Sequence, residues 1–130
     1  NNELHDDNVG RKAETMVVLG EKVLGKTKSE EDACTMLRML SGQTQKVVTG
    51  VCLTSATKQK RFSVITEVTF KQLSETEISY YVSRYKPLDK AGAYGIQEWI
   101  GYIGVTSING SYFNVMGLPV QRIYEELCKF

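Results

Sequence analysis

The chain has 130 residues, with 16 lysines and arginines against 15 aspartates and glutamates, for a formal net charge of +1. That length holds one domain around a single core, and the near-cancelled charge argues against gripping nucleic acid through a broad basic surface. No apolar run approaches the length of a membrane span and no signal-peptide pattern opens the chain, so no membrane partner is expected.

A small phosphorylated ligand, which needs only one or two local cations, stays compatible with this balance. Cys34, Cys52 and Cys128 are scattered and odd in number. Without a CxxC pair they make neither a disulfide framework nor a zinc site, and they fit a reducing cytoplasm. The chain begins with Asn1 rather than Met, which reads as a piece of something longer.

In chain order, "NNELHDDN" is polar and without period, and residues 1–12 are expected to be a disordered or linker-like end, with His5 solvated there. Residues 13–130 are expected to form one domain. Thr15-Met16-Val17-Val18-Leu19 reads as a buried strand, and Gly20-Glu21 as a tight turn into a short strand at 22–24. Ser29 caps a helix with Glu30, Glu31 and Asp32 in its first turn, where free N–H groups and the helix dipole favour anions. Ala33, Met36, Leu37 and Leu40 recur at helical spacing, and Gly42 ends the helix.

Two β-rich runs follow at 44–55 and 61–70. The second alternates through Phe62, Val64, Thr66, Val68 and Phe70, and the polar link at 56–60 predicts an antiparallel hairpin. Ser74 and Glu77 have capping-box spacing. Ile78, Tyr81, Val82 and Tyr85 form the apolar face of that helix, and Pro87 stops it. Residues 99–105 and 111–115 read as strands joined through Asn109-Gly110, a strong hairpin signal. Pro119 suits the first turn of a last helix with Val120, Ile123, Tyr124 and Leu127 inward. The sum is an α/β domain with a mixed, largely antiparallel β-sheet and flanking helices.

With its one histidine in the polar start, the chain builds no Ser/His/Asp or Cys/His arrangement, and no phosphate-cradling glycine loop opens a helix. Three places remain. Glu14, in "AET", sits at the mouth of a strand, where it reads either as a solvated acid or as a working carboxylate. Lys26 follows Gly25 in a turn, and reads either as a solvent-facing lysine or as a phosphate contact. "DKAGAYGIQ" at 89–97 joins a charged pair to small residues and ends in Gln97. It is either a crossover packed tightly on a neighbour or a wall that leaves room for a flat ligand, with Gln97 reading a base edge.

Several blocks together resemble the Maf family, the septum-formation inhibitors, which are nucleoside triphosphate pyrophosphatases: "LGK" at 24–26, "SEEDA" with "ML", "LSGQT" and "TGV" across 29–51, "VTF" through "YV" at 68–82, "PLDKAGAYGIQ" at 87–97, and "INGSYFNVMGLP" at 108–119. The "DKAGAYGIQ" form is similar to the dTTP/UTP branch and departs from the branch that prefers a methylated GTP. The resemblance implies a fold of the Maf/ITPase-like kind and metal-dependent hydrolysis of a nucleoside triphosphate to the monophosphate and pyrophosphate. The ion implied is Mg²⁺ or Mn²⁺. Carried over residue by residue, Glu14 matches the proton acceptor and metal-associated carboxylate. Thr15 and Gln97 match positions that choose the base, and Lys26 a phosphate-contacting lysine. Asp89 and Lys90 are placed near the site. A homodimer is implied as well.

Three features depart from the family pattern. Glutamate stands at position 14 where the family has the aspartate of "ADT". Thr27 stands where proline is usual. The Ser/Pro/Arg-rich phosphate loop that opens family members does not precede Ala13, so the domain is expected to be incomplete at its N-terminus. The alternative reading is therefore a catalytically impaired nucleotide-binding or interaction module of the same fold.

Overall fold

A computed structural model describes residues 10–130 of the chain; Asn1–Asn8 and His5, expected in a loose end, lie outside the described residues. The strands are β1 (Gly10–Leu19), β2 (Lys22–Leu24), β3 (Thr44–Thr54), β4 (Gln59–Phe70) and β5 (Val105–Asn109). They form one sheet in the order β2-β1-β3-β4-β5, and every pairing is antiparallel. The helices are α1 (Glu30–Leu40), α2 (Glu75–Tyr85), α3 (Trp99–Gly104), α4 (Tyr112–Val115) and α5 (Val120–Lys129), with a 3-10 turn at Ala91–Ala93.

The alternation in the strands decides which face is covered. In β3, Gln45, Val47, Thr49, Val51 and Leu53 are buried while Lys46, Gly50 and Thr54 between them are exposed. In β4 the same period buries Thr66, Val68 and Phe70. α1 and α2 cover this inner face, and the main core joins Val17, Leu37, Val47, Val68, Phe70, Tyr81 and Ile100. A smaller cluster, Val51, Leu53 and Ile123, lies under α5.

Both long helices begin as their cap residues predict. Ser29 Oγ accepts from Asp32 N–H at 3.1 Å. Ser74 Oγ accepts from Glu77 N–H at 3.1 Å while Glu77 Oε1 accepts from Ser74 N–H at 2.9 Å, the reciprocal capping box. α2 ends at Lys86, which takes a left-handed φ of 47° ahead of Pro87.

Four expectations are corrected. First, β1 starts at Gly10 and pairs Gly10, Arg11 and Lys12 with Thr54, Leu53 and Cys52, so residues 10–12 are sheet and not linker. Second, residues 99–104 are helix α3 rather than strand. Ile100 and Gly104 are buried and Ile103 packs on the core, an i, i+3, i+4 period hidden in an apolar run too short to decide by pattern. A Cβ at Gly101 would lie 1.8 Å from the Ile96 carbonyl oxygen, so glycine lets α3 fold back on its own approach.

Third, Asn109-Gly110 closes no hairpin. β5 pairs with β4, and the next residues form α4, capped by Ser111 Oγ accepting from Asn114 N–H at 3.1 Å. Buried hydrogen bonds of Asn114 override the local turn signal, as shown below. Fourth, α5 turns Ile123 inward but leaves Val120 and Tyr124 44% and 57% exposed. In their place the Glu126 side chain is buried, with Lys60 at 2.5 Å and Arg122 at 2.8 Å. A paired carboxylate thus occupies a position that an apolar pattern cannot signal.

Candidate active site

The strand pleat turns Thr15 and Val17 to the inner face and Glu14 and Met16 to the other. Beside the inner face the chain leaving α2 crosses back over β1. Gly92, at φ 72°, lies so close that an added Cβ would be 3.2 Å from Val17 Cγ2, and its N–H donates to the Gly25 carbonyl at 3.3 Å. The next residue, Ala93, is fully buried. The small residues of "DKAGAYGIQ" therefore serve both readings. Gly92 and Ala93 are a tightly packed crossover, and the residues after them open into a wall.

That wall bounds a cleft of about 500 Å³, lined by Glu14, Thr15, Lys26, Lys90, Tyr94 and Gln97 among others, within the range of small-molecule sites. Five of the six residues singled out from the sequence thus line one cavity, although they come from β1, the turn after β2, and the loop between α2 and α3. Asp89 does not line it; it is exposed in the turn after Pro87. Lys26 and Gln97 are also exposed and reach the cleft from its rim. Among the described residues, neither Lys26 nor Lys90 forms an ion pair.

The far side is closed by Val115, Met116 and Gly117 after α4, a segment quoted for its resemblance but given no role from sequence. Its anchor is Asn114, which is fully buried. Asn114 Nδ2 lies within hydrogen-bond distance of three acceptors: the Val47 carbonyl at 3.1 Å, the Val64 carbonyl at 3.0 Å and Thr66 Oγ1 at 3.0 Å. Thr49 Oγ1 donates to the Asn114 carbonyl at 3.3 Å. Thr49 Oγ1 also lies 2.9 Å from Thr15 Oγ1, which leaves Thr15 as donor to Thr49 and its lone pairs for a ligand. This seam went unread because a threonine in a strand looks the same whether it is solvated or bonded.

Tyr94 is a further lining residue that was given no role from sequence. It packs edge-on against Phe70 with centroids 5.0 Å apart, and its hydroxyl accepts from Gln45 Nε2 at 3.1 Å. Burial pushes the Tyr94 hydroxyl up to about 12, so it stays neutral.

The donor set also bears on a metal ion. The described residues contain no group of three or more His, Cys, Asp or Glu side chains that could hold one, and Glu14 is the sole carboxylate of the lining. One carboxylate fits a Mg²⁺ or Mn²⁺ that keeps several waters and shares substrate phosphate oxygens, and does not fit an all-protein cage.

These features define an α/β domain whose antiparallel sheet carries a small-ligand cleft ringed by one carboxylate, two lysines and an amide. The chain belongs to the Maf family, matching Maf-like proteins over residues 7–130. It is 59% identical over 128 residues to the dTTP/UTP pyrophosphatase of Phocaeicola vulgatus, covering 98% of this chain and 66% of that protein. It is 59% identical to the protein of the same name from Bacteroides thetaiotaomicron, covering 90% of this chain and 61% of the other. The corresponding Porphyromonas gingivalis protein is 52% identical, with coverage of 91% and 59%. The chain therefore spans less than two thirds of the length of these curated relatives. No helix among the described residues is long and apolar enough to cross a membrane.

Proposed function

We propose that this domain binds a pyrimidine nucleoside triphosphate, dTTP or UTP, in the cleft and takes part in its hydrolysis to the monophosphate and pyrophosphate. The observation that carries the reading is the convergence of Glu14, Thr15, Lys26, Lys90 and Gln97 on one cavity of about 500 Å³. The activity in the names of its relatives supports it.

In this reading a water oxygen attacks the α-phosphorus, the bond from that phosphorus to the α–β bridging oxygen breaks, and pyrophosphate leaves. Glu14 takes the water's proton. Lys26 and Lys90 offset phosphate charge as point charges. Thr15, whose proton is committed to Thr49, accepts from the base edge, and Gln97 offers a paired donor and acceptor. Asp89, exposed outside the lining, acts only on the surrounding field. A Mg²⁺ or Mn²⁺ associated with Glu14 and the phosphates would stabilise charge developing on the phosphate oxygens. Self-association as a homodimer and a cytoplasmic location belong to the same proposal; light scattering in solution tests the first.

One observation favours the alternative, a nucleotide-binding module without turnover. Glu14 also lines a groove of about 530 Å³ with Lys12, Cys52 and Arg61 on the other face of the sheet, so its longer side chain has two environments to choose from. The deciding experiment incubates the chain with dTTP, UTP and GTP plus Mg²⁺ or Mn²⁺ and measures pyrophosphate release and binding together. Release from dTTP and UTP, abolished by Glu14→Gln and raised by Glu14→Asp, is the expected result. A gain of up to about a hundredfold for Glu14→Asp is reasonable, since ångström-scale misplacement of a reacting group costs that much. Tight binding without release favours the binding module, and neither binding nor release removes both readings.

A further inference from the structure

The wall of the cleft at residues 94–97 has no strand or helix of its own between the 3-10 turn and α3, yet two tyrosine hydroxyls pin it at consecutive residues. Gln45 holds the hydroxyl of Tyr94. One residue on, the Gly95 N–H donates to the hydroxyl of Tyr81 at 3.1 Å, and that hydroxyl donates to Glu98 Oε1 at 2.5 Å. The second bond has the length of a charge-assisted O–H···O⁻ contact.

Tyr81 rises from α2, is fully buried, and does not line the cleft. The three groups are fitted to one another. A Cβ at Gly95 would stand 2.9 Å from Glu98 Oε1 and 3.1 Å from Lys90 Cε, so any side chain there would displace the carboxylate or the lysine. Burial first, and then acceptance by Glu98, push the Tyr81 hydroxyl above its ordinary value. It stays protonated, and its lone pair remains available to Gly95.

We propose that Tyr81 and Glu98 are positioning residues for the nucleotide: the Glu98-held hydroxyl of Tyr81 fixes the Gly95 peptide, and with it the reach of Gln97 and Lys90 into the cleft. This rests on the cleft being the nucleotide site. Neither residue touches the ligand. Glu98 lies one position after Gln97 and immediately before α3, so the clamp ties the rim residue to the start of a helix on one side and to α2 on the other. A loop held at both ends keeps its contacts preorganised, which lowers the ordering cost of binding.

The test uses the 130-residue chain, dTTP as probe, and the variants Tyr81→Phe, Glu98→Ala and Glu98→Gln. Tyr81→Phe removes one oxygen and keeps the ring that stacks on Tyr85 at 5.1 Å, so the fold survives. Calorimetric Kd for dTTP is expected to rise about three- to tenfold, because the hydroxyl's bonds to both Gly95 and Glu98 are lost. Amide exchange at Gly95 should speed up while core strand amides keep their protection. Glu98→Ala should weaken binding to a similar extent, and Glu98→Gln, which keeps an acceptor oxygen, should recover most of that loss.

If the unaltered chain binds dTTP and Tyr81→Phe leaves Kd unchanged, the positioning role is overturned. Unchanged exchange at Gly95 overturns the clamp itself. A Glu98→Ala variant that binds dTTP as tightly as the unaltered chain overturns the carboxylate's part. Absence of binding by the unaltered chain removes the nucleotide reading, and this proposal with it.

Discussion

Two neighbouring regions of the sheet's inner face use the same alternating strands and hold together by different chemistry. Under α1 and α2 the contacts are apolar: Leu37, Val68, Ile78 and Phe70 are at most 2% exposed, and what stabilises them is area removed from water. Beside them, toward α4, buried Thr49, Thr66 and Asn114 and half-buried Thr15 are joined by hydrogen bonds at 2.9 to 3.3 Å. The first region is indifferent to direction and tolerates any filling of the right volume. The second has donors and acceptors that must match, so it fixes the position of Val115, Met116 and Gly117 against the cleft. The division teaches where precision is placed: the apolar region supplies stability and the polar seam supplies registration of the site.

The largest expected effect lies in the apolar region. Leu37→Ala should cost about 2–5 kcal/mol of unfolding free energy in a urea titration, while nucleotide affinity below the transition stays unchanged. Asn114→Ala should cost less, about 1–3 kcal/mol, because the Val47 and Val64 carbonyls and Thr66 Oγ1 lose their shared donor. Unlike the leucine change, it should also weaken dTTP binding, since α4 loses its anchor. If both substitutions leave binding alike, the two regions do not differ as argued.

The same contrast explains what could be read in the sequence. Period-two alternation in β3 and β4 and the spacing of Ala33, Leu37 and Leu40 report burial directly, so β3, β4, α1 and α2 were legible from apolar residues alone, while β5 at 105–109 was not. Asn114 and Glu126 were not, because a buried polar residue is stabilised by partners far off in the chain: Val47 and Val64 for one, Lys60 for the other. Those contacts turned an expected strand into α4 and an expected apolar face of α5 into one bearing a carboxylate. Five of the cleft residues were legible because motif resemblance brought together residues that pattern reasoning left separate. Tyr81, Tyr94 and Gln45 act through hydroxyls and an amide whose partners only the fold supplies.

Glu126 extends the comparison to a buried charge. Hydrogen bonds from Lys60 and then Arg122 lower its pKa from the ordinary 4.5 to about 2. A carboxylate whose folded pKa lies below its unfolded one contributes stability that is present above the unfolded value and lost as pH falls through the folded one. Thermal midpoints should therefore decline between about pH 4.5 and pH 2, and Glu126→Gln should lower the midpoint at pH 7 and flatten that decline. Glu77, lowered by its bond to Lys71, titrates in the same direction, so some acid sensitivity remains in the variant. An acid limb identical in slope with and without Glu126 would show that α5 is held by Ile123 and Leu127 alone.

The smallest effect tests the seam argument from the opposite side. Thr27 is 7% exposed and its Oγ1 has no partner among the described residues, so here a buried polar atom contributes nothing to registration and keeps its desolvation cost. Removing a bonded polar group should destabilise, and removing an unbonded one should not. Thr27→Val keeps the shape and deletes the hydroxyl, and is expected to be neutral or to raise unfolding free energy by up to about 1 kcal/mol. Thr49→Val, the same chemical change at a position bonded to both Thr15 and the Asn114 carbonyl, is expected to lower it by about 1 kcal/mol. The pair shares size, residue types and strong burial, so opposite signs in matched urea titrations would isolate the hydrogen bonds as the cause. Equal signs would mean that the seam is held by packing, and that Thr15 is left free to turn its hydroxyl either way in the cleft.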